Sequence, residues 1–183
     1  MKSLVELMGG TIVVHSELGQ GTRFVIELEI EQVSQDEVQE LLAKVPMEQK
    51  LGILHGARIL IAEDNELNYE IASRLLDKMH CRIDWAEDGQ KAVEMFKSSG
   101  RYYYDVILMD IQMPVMDGYH ATEAIRALDR DDAKEIPIIA LTASAFKDDI
   151  SEAIRYGMNA YIAKPIIKEN MYRTIADVIR NKH

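Results

Sequence analysis

The sequence predicts an α/β protein: a five-stranded, doubly wound parallel sheet over residues 58–183, preceded by a helix and a β-hairpin. From Arg58 onward, five short apolar runs alternate with five stretches of helical period, the pattern of βαβ units and a parallel sheet. Runs that are apolar throughout, such as Val106 to Met109, are expected for strands buried on both faces. Polar residues gather at their carboxyl ends, the edge of an open α/β sheet where ligands and chemistry collect.

Lys2 to Met8 has helical spacing (Leu4, Val5, Leu7, Met8), and Gly9-Gly10 stops it. Thr11 to His15 reads as a strand, Ser16 to Gly21 as a turn and Thr22 to Ile30 as a second strand. Phe24, Ile26, Leu28 and Ile30 fall on one face of it, and Arg23, Glu27, Glu29 and Glu31 largely on the other. A lone hairpin is marginal in water, so its apolar face needs a cover from outside residues 1–31. The receiver part of the chain or a second copy of the chain could supply it, and a homodimer or swapped contact is the favoured cover. Residues 32–57 read as a linker, acidic at first, with Val38, Leu41, Leu42 and Val45 forming a short amphipathic helix before Pro46.

The regular alternation then begins. Ile59 to Ala62 is a strand ending on Glu63-Asp64, and Asn65 to Met79 is a helix (Leu67, Ile71, Leu75, Leu76, Met79). Cys81 to Ala86 is a strand and Gly89 to Lys97 a helix. Val106 to Met109 is a strand that runs into Asp110, followed by the breakers Met113-Pro114 and Asp117-Gly118. Tyr119 to Leu128 is a helix, and Asp129, Asp131 and Asp132 read as a solvated loop. Ile136 to Leu141 is a strand with Pro137 tolerated near its start. Ala145 to Tyr156 is a helix closed by Gly157, Ala160 to Ala163 a short strand and Ile167 to Arg180 the last helix. Tyr102 to Tyr104 are expected to cover the entry to the Val106 strand.

Composition narrows the function. The chain is 48% hydrophobic and 28% charged, with a net charge of −10. That balance disfavours a nucleic-acid footprint and is compatible with a cation held by carboxylates. No apolar run approaches the roughly 20 residues that span a bilayer, and no basic segment leads into an apolar one at the N-terminus. The single Cys81 fits a reducing compartment, so a cytoplasmic location is expected, with any membrane anchor in upstream segments of a longer parent. The five histidines show no metal-ligand spacing and read as structural or solvated.

Taken by itself, Asp110 reads equally as a site acid or as a cap for the next helix. The other strand ends add Glu63, Asp64, Thr142 and Lys164, all at the carboxyl edge. Clustered carboxylates suit Mg²⁺, and an Asp can serve as a nucleophile and form an acyl phosphate. A cation and Lys164 would neutralise charge on a transferring phosphoryl group, while the Thr142 hydroxyl could hold one of its oxygens. Without the cation, Asp110 would face repulsion from its neighbouring acids.

The acidic pair Glu63-Asp64, the run Leu108-Met109-Asp110-Ile111-Gln112-Met113-Pro114-Val115-Met116-Asp117-Gly118, Thr142 and Lys164-Pro165 resemble response-regulator receiver domains, across residues 58–183. The resemblance implies a flavodoxin-like (βα)5 fold with strand order 2-1-3-4-5. It implies that Asp110 accepts a phosphoryl group, with Mg²⁺ held by Glu63, Asp64, Asp110 and the Gln112 backbone carbonyl, and with Thr142 and Lys164 contacting the phosphoryl oxygens. The peptide bond before Pro165 is commonly cis in the family. Tyr161, three residues before Lys164, sits where receivers carry the switch aromatic, which moves inward as the threonine closes on the phosphate and remodels the helix 4, strand 5 and helix 5 surface. The implied partners are a histidine kinase core or a histidine phosphotransfer domain.

Leu7-Met8-Gly9-Gly10 followed by Gly19-Gln20-Gly21-Thr22-Arg23-Phe24 is similar to the end of the ATP-binding domain of histidine kinases. This implies that residues 1–31 are a C-terminal remnant of that domain, residues 32–57 a linker and residues 58–183 the receiver, within a hybrid sensor histidine kinase. The other nucleotide boxes and the phosphoacceptor-histidine helix would lie upstream of Met1, so Gly19 and Gly21 are expected to be structural and the chain to act only on its own phosphate. With no DNA-binding domain after His183, a transcription factor is not expected. Two alternatives are an Asp-dependent phosphohydrolase, which wants a second Asp where Gln112 stands, and an interaction module that works without phosphorylation.

Overall fold

The computed structural model describes residues 11–17, 21–27, 51–143 and 147–181. The chain divides into two compact units at Val45/Pro46. The expected helix over Lys2 to Met8, the one over Val38 to Val45 and the turn residue Gly19 lie outside the described residues.

In the first unit, β1 (Thr11–Glu17) pairs antiparallel with β2 (Gly21–Glu27). The register sets Ile12 opposite Ile26 and Val14 opposite Phe24, so these four share one face. The pairing continues to Glu17 and Gly21, so Ser16, Glu17 and Gly21, expected in the turn, are strand residues. Ser16 and Thr22 join their hydroxyls across it at 2.9 Å, and Gly21 sits at φ +102°, a region open to glycine. Val14, Phe24 and Ile26 are exposed.

The second unit holds a five-stranded parallel sheet in the order β4-β3-β5-β6-β7. Its elements are β3 (Arg58–Ala62), α1 (Glu66–Asp77), β4 (Arg82–Ala86), α2 (Gly89–Ser98), β5 (Val106–Asp110), α3 (Gly118–Arg126), α4 (Asp131–Glu135), β6 (Ile138–Thr142), α5 (Lys147–Arg155), β7 (Ala160–Ala163) and α6 (Lys168–Asn181). Counted within the sheet this is order 2-1-3-4-5. Strand residues alternate between two cores. Leu60, Ile107, Met109 and Ile138 pack with Phe96, Ile125 and Ala153 of α2, α3 and α5. Ile59, Ile61, Leu108 and Ile139 pack with Leu76, Tyr172 and Ile175 of α1 and α6. Helices thus cover both faces, and all five residues of β5 are buried.

Two stretches differ from the reading of the sequence. Residues 51–57 do not form a free linker: Gly52–Leu54 make a 3-10 turn, and Leu54, fully buried, joins the α1/α6 core together with Ala57. The Cys81 thiol donates to the Leu54 carbonyl at 3.2 Å, and burial pushes its pKa up to about 11. The aspartates before β6 are not all solvated either. Asp132 is buried in the short α4, where its carboxylate accepts from Arg130 Nε and Nη2 at 2.8 and 2.6 Å and from the Tyr102 amide at 2.7 Å. The same guanidinium donates to the carbonyls of Phe96, Ser99 and Gly100 and lies 4.5 Å over the Phe96 ring, closing the C-terminal end of α2. Tyr104 is buried just before β5, its hydroxyl donating to Asp84 at 2.9 Å.

Candidate functional site

The carboxyl edge brings the expected side chains together because each stands at or just after the end of a strand of the sheet. β3 delivers Glu63, whose amide donates to Ala86 O at 3.0 Å and whose carbonyl accepts from Trp85 Nε1 at 2.8 Å. Trp85 in turn stacks on Tyr69 with ring centroids 4.4 Å apart. The Glu63 carboxylate is 1% exposed and fully engaged: Oε1 accepts from Asn68 Nδ2 at 2.8 Å and Oε2 from Lys164 Nζ at 2.7 Å. Asn65 caps α1 by accepting from the Asn68 amide at 3.1 Å, which aims Asn68 at Glu63. Asp64 is exposed and borders the same cleft.

β5 ends on Asp110, 5% exposed. Its Oδ2 accepts from Lys164 Nζ at 2.6 Å and its Oδ1 from the Gln112 amide at 3.3 Å. It does not cap α3; Asp117 does, accepting from the amide of His120 at 2.9 Å. The loop between them is held tightly. The Gly118 amide donates to Ile111 O at 3.0 Å, and a Cβ on Gly118 would sit 2.2 Å from Asp110 O, so only glycine fits without a shift. A Cβ on Gly89 would similarly meet Met116 O at 2.4 Å. Val115, at the tip, has φ +66° and is 79% exposed, an outlier for a β-branched residue.

β6 ends on Thr142, and β7 is followed by Lys164 and a cis Lys164-Pro165 bond. The Lys164 amide donates to Thr142 O at 2.7 Å. Tyr161 does not reach the site: its ring is 41% exposed and is not among the cleft's lining residues. The cleft has a volume of about 490 Å³ and is lined by Glu63, Asp64, Asn65, Asn68, Asp110, Gln112, Thr142 and Lys164, among others. Tyr119 and Glu152 also line it; the sequence reading assigned neither to the site. Asn68 was missed as well, although its place three residues after the cap Asn65 puts it on the inner face of the first helical turn.

The electrostatics follow from burial and mixed charge. Burial pushes the Asp110 carboxyl above its usual range; the Lys164 hydrogen bond opposes this, and the charge of Glu63 adds to it. Burial would lower Lys164, but its bonds to Asp110 and Glu63 outweigh that and hold the ammonium above its ordinary pKa. Carboxylate oxygens of Glu63, Asp64 and Asp110 all lie within 4.8 Å of one another. Three hard anionic donors at that spacing, beside a cleft wide enough for water, fit Mg²⁺.

These features recur in known proteins. A family model of the response regulator receiver domain matches residues 59–176. Hybrid signal transduction histidine kinase I of Dictyostelium discoideum is 40% identical over 120 residues, covering 64% of this chain and 7% of that protein. The autoinducer 2 sensor kinase/phosphatase LuxQ of Vibrio vulnificus is 34% identical over 172 residues, covering 94% of this chain and 19% of that protein. The chain thus spans less than a fifth of these curated relatives. Among solved structures, the receiver domain of sensor histidine kinase PA1611 from Pseudomonas aeruginosa PAO1, with a magnesium ion coordinated in its active-site cleft, superposes with a TM-score of 0.62. It is 38% identical over 68% of this chain and 98% of that one. The receiver domain of Ssk1 from Saccharomyces cerevisiae, in complex with the histidine phosphotransfer protein Ypd1, gives a TM-score of 0.59 and 30% identity over 67% of this chain and 88% of that one. With its five-stranded sheet and its match to the family over residues 59–176, the chain belongs to the response regulator receiver domains of two-component phosphorelays.

Proposed function

We propose that Asp110 is the phosphoacceptor and that the phosphoryl group comes from a phosphohistidine. The observation that carries this is the Asp110 carboxylate itself: nearly buried at a strand end, 2.6 Å from the Lys164 ammonium, with two further carboxylates within 4.8 Å. A carboxylate oxygen of Asp110 attacks phosphorus and the P–N bond to the donor imidazole breaks. Its electron pair returns to the ring nitrogen, which takes up a proton. Lys164 holds a phosphoryl oxygen as charge builds there, and the Thr142 hydroxyl holds another. Glu63, Asp64, Asp110 and the Gln112 backbone carbonyl would hold Mg²⁺, which when bound supplies charge neutralisation across the carboxylates and the phosphoryl group. Asn68 keeps Glu63 oriented for that task.

Tyr161 is the switch aromatic in this reading: from its exposed position the ring moves inward as Thr142 closes on the phosphoryl group, altering the surface of α5, β7 and α6. The partner is a histidine kinase core or a histidine phosphotransfer domain. Exposed apolar residues on the segments around the carboxyl edge, Leu67 and Ile71 of α1, Val115 and Ile167, suit docking of a partner helix over the cleft. The PA1611 and Ypd1–Ssk1 structures support the cation and the partner class respectively.

The LuxQ match, which extends over 94% of the chain, supports a hybrid sensor kinase as parent. Residues 1–31 are then the end of its ATP-binding domain, and residues 32–50 the linker, since Leu54 already belongs to the receiver core. The hairpin's exposed face is covered by the rest of that domain or by a second copy of the chain. Among the described residues no helix is long and apolar enough to cross a membrane; we place the receiver in the cytoplasm.

The test is incubation with acetyl phosphate, with and without Mg²⁺, read by intact mass. One phosphoryl group is expected in the presence of Mg²⁺ and none on Asp110→Asn. Equal labelling of that variant would overturn the assignment, and labelling that ignores Mg²⁺ would remove the roles of Glu63 and Asp64.

A further inference from the structure

Glu63 is gripped at its main chain as well as at its carboxylate, and both grips lead to the first turn of α1. Asn68 Nδ2 donates to Glu63 Oε1 at 2.8 Å. The next residue, Tyr69, backs the indole of Trp85, with ring centroids 4.4 Å apart and planes at 6°. The indole Nε1, which can only donate, donates to the Glu63 carbonyl at 2.8 Å. The Glu63 amide donates to the Ala86 carbonyl at 3.0 Å. With Lys164 on Oε2, Glu63 is fixed at its amide, its carbonyl and both carboxylate oxygens.

The indole reaches that carbonyl because of where β4 lies. β4 is an edge strand, so Trp85 has a neighbouring strand on one side only. It stands opposite Ile61, which packs in the α1/α6 core together with Tyr69. From there the ring extends past the end of β3 at Ala62 to residue 63. A large ring on an edge strand has several rotamers open to it, and Tyr69 stacked flat against it closes them. Tyr69 is itself set by the helix cap: its amide donates to Asn65 O at 3.0 Å. The Glu63 carbonyl belongs to the peptide that joins Glu63 to Asp64, and that unit is planar. Holding the carbonyl therefore orients the whole plane and the Cα of Asp64. Among the described residues none gives the exposed Asp64 carboxylate a hydrogen bond or an ion pair, so the main chain is what places it.

We propose that Trp85, backed by Tyr69, is a positioning residue of the cation site: through the Glu63 carbonyl it sets the plane of the Glu63-Asp64 peptide, and with it the Mg²⁺ affinity of the acidic pair. The inference rests on the cation reading above and extends it to two aromatic side chains that touch neither the ion nor the phosphoryl group. Mg²⁺ demands near-ideal octahedral geometry, so a small displacement of one carboxylate costs affinity. Removing a partner that orients a metal ligand weakens binding about 10- to 100-fold, and a bond made to the main chain belongs at the lower end of that range. Any large apolar ring could cover the edge of the sheet at position 85. What tryptophan adds is the N–H.

Calorimetric titration of Mg²⁺ alone into the whole chain tests this, with the urea midpoint recorded for each protein. Trp85→Phe keeps a ring for Tyr69 to stack on and removes the N–H, and its Mg²⁺ Kd is expected to rise about tenfold. Tyr69→Phe keeps the stack and is expected to bind within about twofold of wild type. Tyr69→Ala removes the backing and is expected to weaken binding as Trp85→Phe does, a second route if that variant does not fold. Leu54→Ala loosens the α1/α6 core at a residue that does not line the cleft. It is expected to lower the urea midpoint and leave the Kd within about twofold. With Mg²⁺ bound by the wild type, a folded Trp85→Phe or Tyr69→Ala protein with the wild-type Kd would overturn the positioning role alone, as would a Leu54→Ala protein weakened as much as Trp85→Phe. A wild-type chain that takes up no Mg²⁺ would overturn the cation reading, and the positioning role with it.

Discussion

Glu63→Gln probes the cation site by removing one of its charges. The amide keeps the shape of the carboxyl and can still accept the hydrogen bond from Asn68. What changes is that one of three carboxylates, whose oxygens lie within 4.8 Å of one another, loses its charge, and with it the oxygen that accepts from Lys164. A divalent ion held by the cluster lies within about 5 Å of that charge, where the pair is worth about 1.7 kcal/mol even at the dielectric of water and more in a partly buried cleft. Mg²⁺ affinity should therefore fall at least about 15-fold. The single tryptophan provides the assay, because Trp85 Nε1 is bonded to the Glu63 carbonyl at 2.8 Å and its emission should follow a Mg²⁺ titration. Calorimetry gives the same constant without the indole. A Glu63→Gln protein that binds Mg²⁺ within about threefold of wild type, a difference under about 0.7 kcal/mol, would refute the reasoning.

Three further outcomes follow from the packing. Gly118→Ala sets a Cβ 2.2 Å from the Asp110 carbonyl. It should destabilise by about 1–3 kcal/mol and slow phosphorylation on the order of 100-fold by displacing Asp110; a wild-type rate by mass spectrometry would dismiss the positioning role of the loop. Leu54→Ala should cost about 3 kcal/mol in urea unfolding, because Leu54 is fully buried, whereas a true linker residue would leave the midpoint unchanged. Asp132→Asn should cost about 2–3 kcal/mol near neutral pH by leaving Arg130 without its carboxylate. The Arg130 hydrogen bonds hold the Asp132 pKa below its ordinary value. The stabilisation is therefore complete above about pH 4 and fades as the pH falls further. The gap between wild type and variant should narrow in acid, and a gap that widens there would reverse the sign of the argument.

Most of the sheet was legible because buried parallel strands leave an unambiguous mark: Val106 to Met109 and Ile138 to Leu141 are apolar at every position and buried at every position. The acids, Thr142 and Lys164 were legible because each stands at the end of a short apolar run. What the sequence hid were contacts set by tertiary packing. Leu54 sits in the short stretch Leu51-Gly52-Ile53-Leu54-His55-Gly56, too brief to show a period, and only the α1/α6 core reveals why it is buried. Asp132 reads like its exposed neighbours Asp129 and Asp131 until Arg130 is seen folding back on it. Tyr119 and Tyr156 stack although they lie 37 positions apart, and nothing local links them. Tyr161 was singled out by its offset from Lys164, but the offset says nothing of which way its ring points.

The central claim is that Asp110 carries the phosphoryl group as an acyl phosphate. Its most direct test is borohydride reduction of the phosphorylated chain followed by peptide sequencing, since an acyl phosphate of Asp is reduced to homoserine. The account predicts homoserine at position 110, dependent on prior phosphorylation. Reduction at Asp64 or Glu63, or a phosphoryl group that survives on a histidine, serine or threonine with position 110 unchanged, would contradict it.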